Sequence, residues 1–62
     1  MPWVFVDAFE GRTLEQKRKL VKAITDAVSE IYQVAPEHVS VQIRDISREN
    51  WATGGKLACD QK

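Results

Sequence analysis

Trp3-Val4-Phe5-Val6-Asp7-Ala8-Phe9-Glu10-Gly11-Arg12-Thr13-Leu14-Glu15-Gln16 passes from a strand, through a turn, into the first turn of a helix. The run from Trp3 to Phe9 is rich in β-branched and aromatic residues and almost continuously apolar, which suits a strand covered on both faces, as in a parallel sheet. Asp7 is the exception and belongs near the strand's end or on a polar surface between subunits. Glu10-Gly11-Arg12 turns the chain, with Gly11 free to take a positive φ. Thr13 and Gln16 have the spacing of a capping box, in which the threonine hydroxyl accepts from the Gln16 N–H and the glutamine side chain reaches back. Glu15 places a negative charge in the first turn, where the helix dipole favours it.

Outward from this stretch, apolar residues recur at Leu14, Val21, Ile24, Val28 and Ile31, with Leu20, Ala27 and Tyr32 widening the stripe. Lys17, Arg18, Lys19, Lys22, Asp26 and Glu30 mostly fall elsewhere, so the segment is an amphipathic helix of about five turns. The basic cluster reads as a solvated helix face, because no aromatic residues interleave it. Ala35-Pro36 ends the helical pattern, since a residue before proline avoids the α region. Pro36-Glu37-His38 is a short connector. His38, the only histidine, has no neighbouring arrangement that marks a catalytic triad and is assigned to the connector. Val39 to Ile46 alternates, with Val39, Val41 and Ile43 on one face and Ser40, Gln42 and Arg44 on the other. Strand, capped helix, strand is a β-α-β unit of the α/β class, with parallel strands and a right-handed crossover.

The face carrying Ser40, Gln42 and Arg44 must meet solvent or another subunit. Ser47 to Lys56 forms a loop in which Gly54-Gly55 allows a tight turn, and short strands on either side form a C-terminal hairpin or extend a neighbour's sheet. Trp51, a large aromatic in this loop, is either an interface anchor or a pocket wall. Asp60-Gln61-Lys62 reads as a loose tail. Residues 1–62 make one domain.

With 62 residues, a chain buries only about 60% of its unfolded surface, and its core alone rarely supplies more than about 3–5 kcal/mol. Cys59 is the only cysteine, which excludes an internal disulfide, and one Cys with one His is too few for a structural zinc site. Two Trp, two Phe and one Tyr in so short a chain point instead to a homo-oligomer. Nine basic and nine acidic residues balance, so neither a nucleic-acid nor an anionic-membrane footprint is present. The longest apolar run, Trp3 to Val6, is far short of the roughly 20 residues of a membrane span. A free cysteine without an export signal fits a reducing cytoplasm.

Proline directly after the initiator methionine permits removal of Met1, leaving Pro2 with a free secondary amine. The plainer reading is that Pro2 starts an edge strand, where its missing N–H is harmless. An amine in an apolar site loses solvation of its charged form, so its pKa falls and it can act as a base near neutral pH. An arginine fork can hold a carboxylate or polarise an enol oxygen. Pro2, Arg12 and Trp51, with Ser40, Gln42 and Arg44 on the exposed strand face, are therefore the candidates for chemistry. A base with a carboxylate holder suits proton transfer α to a carbonyl.

Met1-Pro2, the apolar strand, Glu10-Gly11-Arg12-Thr13 followed by Glu15-Gln16-Lys17, Ala35-Pro36, and Glu49-Asn50-Trp51 before Gly54-Gly55-Lys56-Leu57 together resemble the 4-oxalocrotonate tautomerase family. The resemblance spans essentially the whole chain. It implies a β-α-β protomer that pairs into dimers, three of which make a hexamer. It implies cofactor-free enol–keto isomerisation of a 2-hydroxy-dienoate or arylpyruvate-like acid. Pro2 then corresponds to the general base and acid, Arg12 to the arginine that holds the distal carboxylate from a neighbouring subunit, and Trp51 to the aromatic that lines the pocket.

Ser40 departs from the family pattern, because it stands where the best-known members carry a second arginine that polarises the 2-hydroxy oxygen. A hydroxyl supplies one neutral hydrogen bond where charge-assisted bonds are roughly twice as strong, so a weaker or differently selective enzyme is expected. Arg44, about 13 Å along the strand from Ser40, is too far to substitute directly. Two alternatives stand beside this reading. One is an oligomeric binding or scaffold protein whose catalytic set has decayed. The other is a dehalogenase or hydratase of the same superfamily, disfavoured because Phe9 occupies the place of a second arginine beside Arg12.

Overall fold

The computed structural model describes residues 1–61. Strand β1 (Trp3–Phe9) leads through the Gly11 turn into helix α1 (Leu14–Tyr32), and strand β2 (Ser40–Ile46) follows. The short strands β3 (Ala52–Thr53) and β4 (Lys56–Leu57) come last. Single 3-10 turns lie at Pro36–His38, Arg48–Asn50 and Ala58–Asp60. Strands β1 and β2 pair in parallel, from Trp3 opposite Ser40 to Phe9 opposite Ile46. The β3–β4 pair is an antiparallel hairpin. Both residues of its tight turn, Gly54 and Gly55, have positive φ (62° and 83°), the requirement of the turn that matches strand twist.

The capping box forms as its spacing predicts. The Gln16 N–H donates to Thr13 Oγ1 (3.1 Å) and the Thr13 N–H donates to Gln16 Oε1 (2.9 Å). The far end of the helix falls at the end of its apolar stripe, short of Ala35-Pro36. It stops at Tyr32, because Gln33 enters the left-handed region (φ 56°, ψ 51°) and its N–H donates to the Ser29 carbonyl. Strand β2 starts one residue later than the alternation suggests, at Ser40, whose N–H donates to the Pro2 carbonyl (3.1 Å). The expected loose tail is partly ordered, with Asp60 in the last 3-10 turn and the Gln61 side-chain amide donating to the Lys56 carbonyl (3.3 Å). Lys62 lies outside the described residues.

Alternation divides the sheet. Val4, Val6, Ala8, Val41 and Ile43 are half-buried, on the side where α1 lies, and Val21, Ile24 and Val28 are the half-buried apolar residues of the helix. Asp45 also falls in this row, where the pattern calls for an apolar side chain, and Lys17 of α1 answers it at 2.6 Å. On the other side Trp3, Phe5, Asp7, Ser40, Gln42 and Arg44 are exposed. Nothing among the described residues covers this face.

Its centre is an ion pair between register partners. Arg44 Nε donates to Asp7 Oδ1 (2.6 Å) and a terminal Arg44 nitrogen to Asp7 Oδ2 (3.0 Å). The hydrogen bond and then the charge of Asp7 raise the Arg44 pKa above its usual value. The guanidinium also lies 5.7 Å from the Phe5 ring centroid. Asp7 therefore does face a polar patch, of which Arg44 is the other half.

No side chain among the described residues is fully buried. Trp3, Phe5, Leu14, Ile31, Tyr32 and Trp51 are all more than half exposed. The radius of gyration is 15.0 Å, where a compact domain of this length has about 11 Å. The accessible surface is 5153 Å², where a folded monomer of this mass shows about 4,100 Å². A chain with this shape does not hold itself together by its own core.

Two outcomes follow for stability. Thr13→Ala removes a satisfied cap and costs about 1 kcal/mol, read as a lower urea midpoint. The midpoint of the unmodified protein is expected to fall on dilution, as it does wherever assembly and folding are linked; a concentration-independent midpoint would mean the single chain is stable alone.

Candidate active site

The residues singled out in the sequence fall into two groups at opposite ends of the strand pair. Pro2 precedes β1 and is half-buried, and its carbonyl accepts from Ser40, the first residue of β2. These two are brought together. Beside Pro2 lies a groove of about 380 Å³ lined by Trp3, Val4, Ala27, Val28, Ile31 and Tyr32, between the start of β1 and the last turns of α1. No charged side chain lines it. An amine at this place meets a mostly apolar surface, the setting that favours its neutral, basic form.

Arg12 and Trp51 belong to the other end. Arg12 follows β1 and lines a groove with Val6, Ala8, Gln16, Lys17, Leu20 and Asp45, among others. Trp51 follows β2 by way of the Arg48–Asn50 turn, which is capped by Ser47, whose hydroxyl accepts from the Glu49 N–H (3.2 Å). The Trp51 ring meets Phe9 edge to face, with centroids 6.4 Å apart and planes at 89°. Such a pair contributes about 0.5–1.5 kcal/mol beyond its buried area. Asp7, Ala8, Phe9, Ile46 and Trp51 line a further groove of about 320 Å³.

Pro2 and Phe9 are separated by about 23 Å of strand, so within one chain Pro2 does not meet Arg12 or Trp51. A small acid is far shorter than that span. One chain therefore presents an apolar end that carries Pro2 and an aromatic end that carries Arg12 and Trp51, and a site using both takes them from different copies.

The remaining polar groups are accounted for. Arg44 is engaged by Asp7 and does not reach toward Ser40, whose place it was too distant to fill. Ser40 itself is exposed at the start of β2. His38 lies exposed in its 3-10 turn, and Cys59 is free and exposed. No group of three or more His, Cys, Asp or Glu among the described residues could hold a metal ion. No helix among them is long and apolar enough to cross a membrane.

The sequence reading passed over Arg48. Its guanidinium stands 4.5 Å from the Phe9 ring centroid, on the ring that Trp51 touches from another side. The signal was weak. Arg48 sits in a polar loop beside Glu49, and nothing in the local pattern says that it folds back onto a residue near the end of β1.

Residues 2–61 match the family model of the Tautomerase enzyme. The chain is 40% identical to the 2-hydroxymuconate tautomerase of Bacillus subtilis over 62 residues, covering all of both chains. Its fold superposes on the crystal structure of a 4-oxalocrotonate tautomerase homologue with a TM-score of 0.92 and 35% identity, covering 100% of this chain and 98% of the other. A heterohexameric 4-oxalocrotonate tautomerase from Chloroflexus aurantiacus matches over the full length of both chains, with a TM-score of 0.88 and 26% identity.

Proposed function

This chain belongs to the tautomerase family, an isomerase by type, and on that premise we propose that it interconverts enol and keto forms of 2-hydroxy-dienoate or arylpyruvate-like acids without a cofactor. Pro2, freed by removal of Met1, is the proton carrier. Its neutral amine takes the proton from the 2-hydroxyl of the bound enol as the C2–O bond becomes a carbonyl. The electron pair of the C=C bond shifts to a carbon of the same conjugated system, and the protonated amine delivers its proton there. Proton and electron pair both stay within the substrate and Pro2, so no oxidant or reductant enters.

The observation that carries this reading is the placement of Pro2 at the open head of β1, half-buried beside a groove with no charged lining. Arg12 holds the substrate's distal carboxylate from another copy, and Trp51 keeps the pocket apolar around the developing carbonyl. A hexamer of three dimers supplies the neighbouring copies. The uncovered sheet face and the heterohexameric relative support it, and the free Cys59 fits a reducing cytoplasm.

Ser40 favours one second reading, an assembly that binds such acids without turning them over. Intact mass establishes first that Met1 is absent from the assayed protein. Processed protein is expected to ketonise 2-hydroxymuconate and phenylenolpyruvate, with Pro2→Ala lowering kcat/KM about a hundredfold. Activity unchanged in that variant removes Pro2 from the mechanism. Absence of turnover by an intact, processed assembly supports the binding-protein reading. Arg12→Ala is expected to raise KM for the dicarboxylate about tenfold or more and to spare phenylenolpyruvate; equal losses on both would count against its role at the distal carboxylate.

A further inference from the structure

We propose that Arg48 is a second substrate-binding cation of this protein, taking the carboxylate and 2-oxygen end of the enol where Ser40 offers no charge; the inference rests on the tautomerase reading above. Four arginines are present. Arg18 pairs with Glu15 and Arg44 with Asp7. Arg12 and Arg48 have no ion pair among the described residues. Both follow the carboxyl ends of the parallel strands, Arg12 after β1 and Arg48 after β2. A neighbouring copy that brings its Pro2 to this end meets both.

Arg48 is exposed, yet its guanidinium is held against an aromatic ring and not left in solvent alone. The Phe9 ring lies 4.5 Å from the guanidinium carbon and is in turn braced by Trp51. An aromatic contact leaves the five N–H donors of the fork available, while ordering the side chain before a ligand arrives. The groove lined by Phe9 and Trp51 contains one carboxylate, that of Asp7, and both of its oxygens are engaged by Arg44. An incoming anion there meets a neutralised pair in place of a bare negative charge. Arg48 stacks on Phe9 of this groove, and Ala8 lines both it and the groove beside Arg12, so the two cations flank the end of β1.

The two arginines then divide the ligand by its ends. Arg12 takes a distal carboxylate, which only a dicarboxylate has. Arg48 takes the end common to every 2-hydroxy or 2-oxo acid. A purely structural Arg48, stacked to cover Phe9, would affect stability and leave the affinity for the acid unchanged.

The test measures Arg48→Gln, Arg48→Lys and a surface control, Arg18→Gln, in processed protein. Readouts are kcat/KM on 2-hydroxymuconate and phenylenolpyruvate, calorimetric affinity for 2-oxoadipate, and the unfolding midpoint. Arg48→Gln is expected to lower both kcat/KM values and the 2-oxoadipate affinity about tenfold or more, with partial recovery in Arg48→Lys and no change in Arg18→Gln. Values within twofold of the parent, or a shifted midpoint with unchanged affinity, overturn the assignment. Arg48-dependent binding of 2-oxoadipate by a protein that turns over neither enol keeps Arg48 and removes the tautomerase reading. Failure of the parent both to bind and to turn over removes both.

Discussion

One face of a two-stranded parallel sheet is left without cover, and the rest of the molecule answers to that. Parallel sheets occur with both faces buried, and a single helix shields only one. The exposed Trp3 and Phe5, the extended shape and the absence of any fully buried side chain among the described residues are consequences of the same shortfall. At the centre of the open face stands the Asp7–Arg44 fork. As a half-exposed pair it adds little to the single chain. Once a second molecule covers the face, both charges enter a drier environment already matched and hydrogen-bonded, so the face can be buried without stranding either one.

The same geometry determines what the chain can do chemically. A strand is too long for its two ends to touch one small ligand, and the parallel arrangement sends both strand heads to one end and both tails to the other. Pro2 and Ser40 share the first end. Arg12, Arg48, Phe9 and Trp51 share the second. The helix contributes to both, through Ile31 and Tyr32 at the head and Gln16 and Lys17 at the tail. The groups proposed for proton transfer and for anion binding thereby fall at different places by topology alone, before any detail of side-chain geometry.

Local signals were the legible ones. The Thr13–Gln16 box, the period-two alternation of β2, and Gly54-Gly55 all act over a few residues and appear where the sequence puts them. The length of α1 followed from its apolar stripe, which ends at Tyr32, whereas the cap itself, a glutamine entering the left-handed region, leaves no mark in composition. The apolar stripe of α1 was longer than the surface it covers, and Leu14, Ile31 and Tyr32 remain exposed. Contacts between distant residues were the ones that stayed hidden. The Asp7–Arg44 fork, the Lys17–Asp45 pair and Arg48 over Phe9 each join residues whose meeting depends on the strand register. Asp7 was visible as an anomaly in an apolar run, but its partner was not. The candidate residues Pro2, Arg12, Ser40 and Trp51 could be picked out individually; their separation into two groups required the fold.

The division of the proposed site between strand heads and strand tails bears on heredity. A copy damaged at its head still lends an intact tail to a neighbour, and a copy damaged at its tail still lends an intact head. Mixed assemblies of two such defective chains therefore contain some complete sites, so two failing alleles together restore what neither has alone. After a gene duplication, each descendant is free to lose a different half, and the pair then becomes obligatory. In such a fold, a partnership of unlike chains arises by loss, with no new surface needing to be invented.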